Sequence, residues 1–277
     1  MKNKLPLSNV PFRKMHGLGN DFVIFDARKL NIKLTKLKIS ILANRKTGLG
    51  FDQLLIMRPS KTGNDVFMSV YNADGETVET CGNGARCIAE ILINESKKTK
   101  VKIDTLGGEI EAYKNNNGLI TVNLTSPKFK WNEIPLSHDV DTLNLSLGIK
   151  GIPTATIINV GNPHAVFFVK KIELIDLNEI GPKIETHEMF PEKINVEFAQ
   201  IINKNHIRMR VWERGVGVTQ ACGTGACATL VAAVRKNLTN RNSKITLDGG
   251  DLFVEWTINN NIKMTGPALS SFSGLIS

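Results

Sequence analysis

Residues 80–90 read TCGNGARCIAE and residues 221–230 read ACGTGACATL. Each sets a cysteine directly before a Gly-x-Gly step and then enters an apolar run. Whether this is coincidence or duplication decides the fold. Placing Cys81 on Cys222 puts Gly82, Gly84 and Ala85 on Gly223, Gly225 and Ala226. Upstream, MSVYNADGETVETC (68–81) lies on MRVWERGVGVTQAC (209–222), so Met68, Val70 and Tyr71 meet Met209, Val211 and Trp212, and Asn72 faces Glu213. Farther out, HGLGNDFVIF (16–25) resembles NVGNPHAVFF (159–168) at a slip of one, pairing Asn20 with Asn162, while GFDQLLI (50–56) against KINVEFA (193–199), at the same slip, pairs Gln53 with Asn195. Downstream, DTLGGEIEA (104–112) resembles TLDGGDLFVEW (246–256) at a slip of one, and LTSP (124–127) resembles MTGP (264–267). Self-similarity of this extent is the sequence signature of an internally duplicated architecture.

The duplication predicts two homologous domains related by a pseudo-two-fold axis, 1–128 and 129–269, with the tail 270–277 a candidate to complete the first. At 277 residues each half can bury its own core. Residues 128–152 read as an irregular connector. Stretches such as VFMSVYNADG, VKIDTLGG and GEIEAY, with their copies IRMRVWERG, KITLDGG and DLFVEW, are β-branched or alternating and end on Gly or Asn-Asp turns, the pattern of antiparallel strands. Between them a helix begins just after each cysteine. The second, GACATLVAAVRK, is apolar on nearly every side until Arg235, so it must be enclosed. The expected fold is α+β: in each half, a curved antiparallel sheet or half-barrel around one central buried helix. ILANRKTGLG (41–50) reads as a further helix ended by glycine, and LNEIGPKIETH (177–187) as its counterpart.

Composition excludes several classes. The balance of 35 Lys+Arg against 26 Asp+Glu gives a net charge of +9, but the lysines are scattered, with no basic block or aromatic ladder, which argues against nucleic acid. No run is long enough to span a bilayer, and MKNKLPLSNVPFRKM lacks the apolar core of a signal peptide. A cytosolic protein is expected, with its four cysteines reduced. Zinc is the rival use of those cysteines, but Cys81/Cys87 and Cys222/Cys227 are spaced more widely than the usual ligand pairs and no histidine cluster adjoins them.

A cysteine at a helix entrance sits in the field of unpaired backbone N–H groups, which lowers its pKa and brings thiolate within reach near neutrality. The adjoining glycines let a carboxylate approach the same N–H groups. Two such entrances facing a shared cleft suit the inversion of a carbon bearing a proton. One sulfur removes the proton from one face, the other delivers one to the opposite face, and the helix N–H groups hold the enolate-like charge.

Taken together, MHGLGNDFVIFD (15–26), GFDQL (50–54), NADG with CGNGARC, GNPH (161–164), ERG (213–215) and ACGTGACA resemble the diaminopimelate epimerase family, in its order and over nearly the whole chain. The resemblance implies interconversion of LL- and meso-diaminopimelate without pyridoxal phosphate or any other cofactor or metal, in a homodimer. It implies Cys81 and Cys222 as the acid/base pair and Gly82, Asn83, Gly223 and Thr224 as holders of the reacting carboxylate. Asn20, Gln53, Asn72, Asn162, Asn195 and Glu213 would contact the substrate, with Arg214 clamping its distal carboxylate, a task lysine does poorly. His164 would tune a thiol or serve structure. Cys87 and Cys227 are expected in the core. Where many relatives carry Glu in the ERGxGET run, this chain has Val218, so a polar contact is lost there. The remaining His138, His187 and His206 stand in no motif. Oxidation of the two thiols to an inactivating disulfide is a further expectation. Rival readings are a two-thiol racemase of proline or hydroxyproline, an isomerase of the same fold lacking both thiols, as in phenazine biosynthesis, and a zinc-binding module.

Overall fold

The computed structural model describes residue 7 and residues 9–276. Residues 1–6 and 8 of the expected first domain, and the last residue of the tail 270–277, lie outside the described residues. In chain order the elements are β1 (Val10–Gly17), β2 (Asn20–Asp26), α1 (Lys36–Ala43), β3 (Gln53–Arg58), β4 (Val66–Asn72), β5 (Thr77–Val78), α2 (Gly82–Ser96), β6 (Lys100–Thr105), β7 (Gly108–Lys114) and β8 (Ile120–Leu124). They continue as β9 (Ala155–Asn159), β10 (Pro163–Phe168), α3 (Leu177–Glu185), β11 (Asn195–Asn203), β12 (His206–Glu213), β13 (Gly217–Thr219), α4 (Gly223–Arg235), β14 (Asn242–Leu247), β15 (Gly250–Trp256), β16 (Ile262–Gly266) and β17 (Leu269–Ile276). The chain divides into two compact units: one runs to Val122 and resumes at Gly266, the other is Asn123–Thr265. Among the described residues no helix is long and apolar enough to cross a membrane.

The ladders of the two units match pair for pair. β1–β2, β3–β4 and β6–β7 are antiparallel, as are β9–β10, β11–β12 and β14–β15. However, β2–β3 and β4–β6 run parallel, and so do β10–β11 and β12–β14. The sheets are therefore mixed rather than purely antiparallel. The cause is the helices, since a crossover through α1, α2, α3 or α4 returns the chain in its original direction, which a tight hairpin cannot do. α+β is the class observed. β17 joins the first unit's sheet antiparallel to β1, from Val10 opposite Ile276 to His16 opposite Leu269.

Both faces of these sheets are buried, which explains strands too apolar to alternate. In the first unit Val23, Phe25, Leu54 and Ile56 pack with Ile39 and Leu42 of α1. In the second, Ala165, Phe167, Val196 and Phe198 pack with Leu177 and Ile184 of α3. The opposite faces meet α2 and α4. Helix α4 touches β9, β10, β11, β12, β14 and β15. Six flat strands would span about 24 Å, twice the width of a helix, so the sheet curves around it. From Gly223 to Ala233 only Thr224 escapes burial. Helix α1 departs from expectation: it is capped by Thr35, whose side chain accepts from Lys38 N, and stops at Ala43. Beyond it, Asn44 Oδ1 accepts from Lys46 N and Thr47 N, so NRKTGLG forms a turn instead of a helix.

Candidate functional site

Each cysteine caps its helix in the same way. Cys81 and Cys222 have extended backbones, and their sulfurs accept from Gly84 N and Gly225 N at 3.3 Å. Ala85 N and Ala226 N bond to the carbonyls of the same two cysteines. This leaves the first N–H groups of each helix, on Gly82 and Asn83 and on Gly223 and Thr224, without an acceptor inside the helix, as at any α-helix start. All four cysteines are free thiols. Cys87 is buried, which pushes its thiol up to about 12, and Cys227 is buried too; both belong to the core.

In the first unit the turn between β1 and β2 places Leu18 and Gly19 at φ 58° and 86°. Two positive φ values across a two-residue hairpin make a type I′ turn, and it delivers Asn20. The side chain of Asn20 accepts from Asn83 Nδ2 at 3.3 Å and donates to Asp52 Oδ2 at 3.0 Å. Gln53 begins β3 opposite Phe22 on one side and Asn72 on the other, and its Nε2 donates to Asn72 Oδ1 at 2.9 Å. The oxygens Gln53 Oε1 and Asn83 Oδ1 are buried and have no partner among the described residues. Arg45 bonds Asp21 and Asp52 at 2.7–2.9 Å and anchors this corner.

In the second unit Gly161, at φ 111°, forms the turn that presents Asn162. His164 begins the same strand, opposite Asn195. Asn195 Nδ2 donates to Pro163 O at 2.9 Å, and its Oδ1 accepts from Arg214 N at 3.0 Å. The guanidinium of Arg214 donates to Glu192 O at 3.0 Å. Glu213 ends β12 and accepts from Thr219 Oγ1. Thr224 Oγ1 lies 3.5 Å from the Cys222 sulfur. Within each unit the expected residues are thus linked: Asn20 to Asn83, Gln53 to Asn72, Asn162 to His164, Asn195 to Arg214. Val218 is half-exposed opposite Trp212 on β13. His138, His187 and His206 bond Ser137, Met189 N and Thr246.

One electrostatic expectation reverses. The Cys222 thiol is held well above its ordinary value, first by burial and then by the nearby charges of Glu213 and Glu197; the bonds from Thr224 and Gly225 N lower it by less. Burial outweighs the helix entrance here, and Cys222 keeps its proton at neutral pH. Two buried carboxylates escaped the sequence reading. Glu185 of α3 accepts from Trp212 Nε1 at 2.7 Å and Gly215 N at 2.9 Å, fixing the loop that carries Arg214. Glu197 of β11 lies 2.7 Å from His164 Nδ1. A carboxylate aligned with Leu55 of the sister strand was the available signal for Glu197. Among the described residues no group of three His, Cys, Asp or Glu side chains is arranged to hold a metal ion.

The fold is shared with solved proteins of the phenazine-biosynthesis type: a PhzF-family protein of Bacillus anthracis superposes with a TM-score of 0.70 over 98% of this chain and 100% of its own, at 16% identity. That likeness defines a class, two duplicated units each built around one buried helix, and speaks to fold alone. The diaminopimelate epimerase family model matches residues 12–130 and 156–270. The diaminopimelate epimerase of Erythrobacter litoralis is 46% identical over 96% of this chain and 96% of its own length, and that of Rhodospirillum centenum 43% over 96% and 92%. The chain belongs to the diaminopimelate epimerase family.

Proposed function

We propose that the protein interconverts LL- and meso-2,6-diaminopimelate by a two-base, cofactor-independent route in which Cys81 and Cys222 act from opposite faces of one carbon. The observation that carries this reading is the doubled cap: the same thiol, at the same helix position, beside the same unclaimed N–H groups. One thiolate takes the Cα proton, breaking C–H and forming S–H. The electron pair passes into the carboxylate, whose oxygens accept from the N–H groups of Gly82, Asn83, Gly223 and Thr224. The other thiol then gives its proton to the opposite face, so the two sulfurs exchange protonation states and nothing else is consumed. Cys222, protonated by its burial, is the donor of the resting enzyme, and Cys81 the base.

The open oxygens of Gln53 and Asn83 suit an ammonium group, and Asn20, Asn72, Asn162, Asn195 and Glu213 complete the polar lining. Arg214 takes the distal carboxylate bidentately, which separates this substrate from proline, an amino acid with no second carboxylate. The working form is a homodimer in the reducing cytosol, in keeping with four free thiols; sedimentation equilibrium checks the assembly. The decisive test is incubation with LL-diaminopimelate in deuterated water with no added cofactor. Deuterium at one stereocentre, appearing with the meso isomer, is expected. Inversion of proline or hydroxyproline with diaminopimelate left untouched would overturn the reading.

A further inference from the structure

The second unit contains a buried titratable pair that the proposed chemistry does not use and that the first unit lacks. His164 and Glu197 are fully buried, and Nδ1 of the ring lies 2.7 Å from Glu197 Oε1. The other ring nitrogen, Nε2, lies 2.9 Å from Asn162 Oδ1. Both nitrogens therefore face acceptors, and only an imidazole protonated at both can donate to both. Glu197 sits under the start of α4: a Cβ built on Gly225 would come 2.7 Å from Glu197 Oε1 and 3.3 Å from the Cys222 sulfur. Its second oxygen, Oε2, is buried without a partner among the described residues. In the first unit the same place beneath Gly84 is filled by Leu55, and the strand position of His164 by Phe22.

We propose that Glu197 is a positioning residue: its carboxylate holds His164 as a buried imidazolium, which in turn fixes the side chain of Asn162. This rests on the function proposed above, in which Asn162 contacts the substrate. The other groups around the pair are settled by the ladder. His164 lies opposite Ile158 of β9 and Asn195 of β11, and Glu197 opposite Val166 of β10 and Val211 of β12. From α4 the Cys222 thiol feels the charge of Glu197, as it does that of Glu213 at the end of β12.

Nitrogen-15 NMR of the histidine ring tests the pair without reference to turnover. In the wild-type protein both His164 nitrogens carry protons, as the two facing acceptors require. In Glu197→Gln one of the two is lost, and the pH profile of diaminopimelate turnover gains a limb that follows the protonation of the ring. A merely structural role would not produce a limb that tracks the ring. The double variant Glu197→Leu/His164→Phe copies Leu55 and Phe22, so it should fold, with far-UV circular dichroism like the wild type, yet turn over at least about tenfold more slowly. A singly protonated His164 in the wild type at neutral pH, or a Glu197→Gln pH profile superimposable on the wild type, would overturn the proposal. If the wild type fails to invert diaminopimelate while the ring behaves as stated, the assigned reaction falls and the buried pair stands.

Discussion

The two halves of the chain hold their cysteines in the same frame and surround them with different chemistry. Beneath Gly84 lies the leucine Leu55, and beneath Gly225 the carboxylate Glu197. Asn20 is secured from the side by Asp52 and Arg45 on partly exposed ground, whereas Asn162 is secured from below by a buried ring. Asn72 at the end of β4 becomes Glu213 at the end of β12. Duplication preserved the backbone that places the thiols, and divergence set Glu213 and Glu197 near Cys222, whose burial and neighbouring charges raise its proton affinity.

The strongest way to break the comparison is to delete one sulfur at a time. Cys81→Ala and Cys222→Ala should each lower diaminopimelate inversion at least a hundredfold, about the contribution of a positioned acid or base, as followed by chiral chromatography; a variant retaining wild-type turnover would remove its sulfur from the mechanism. Next in size is the contrast in reactivity. Iodoacetamide at pH 8, read by peptide mapping, should modify Cys81 more than about tenfold faster than Cys222, since each unit of raised pKa removes a factor of ten in thiolate. Equal rates would show that burial and the two carboxylates do not distinguish the halves.

Smaller effects probe what lies beneath each helix. Glycine to alanine inside a helix gains roughly 0.5–1 kcal/mol. At Gly84 the new methyl would meet the tip of Leu55 at 3.0 Å, which a flexible side chain can yield, so Gly84→Ala should leave the urea midpoint nearly unchanged. At Gly225 the methyl would press on the immobile Glu197, and Gly225→Ala should cost about 1–2 kcal/mol net. The smallest effect belongs to acid. Burial pushes the Asp21 carboxyl up, but hydrogen bonds and charges from Arg45 and Lys14 outweigh it and hold the group well below the usual carboxylate range. A carboxylate depressed by folding stabilises the folded state above its unfolded value near 3.9, and that contribution is lost as pH falls below it. Asp21→Asn should therefore lower the Tm by a few degrees at pH 7, with the gap closing below about pH 4, as measured by calorimetry.

Much of this was legible because duplication supplies its own alignment. The offset that pairs Asn20 with Asn162 and Gln53 with Asn195 reappears in the ladders, where Phe22 faces Gln53 and His164 faces Asn195. Both buried helices start where the cysteines and glycines place them. What escaped notice depends on contacts distant in sequence. Parallel pairing of β2 with β3 depends on the route of the intervening chain, which alternation of apolar residues does not encode. The state of the Cys222 thiol is set by depth, by Glu213 and by Glu197, the last a residue 25 positions earlier in a strand buried on both faces, where period-two patterning has no polar side to reveal it.

The pairing of β17 with β1 also sets an order of events during synthesis. The second unit has all its strands once the chain has reached Thr265, whereas the sheet of the first lacks its outer strand until Leu269–Ile276 emerge. The half translated first is thus finished after the second, and its incomplete edge stays open to wrong partners while the second unit is made.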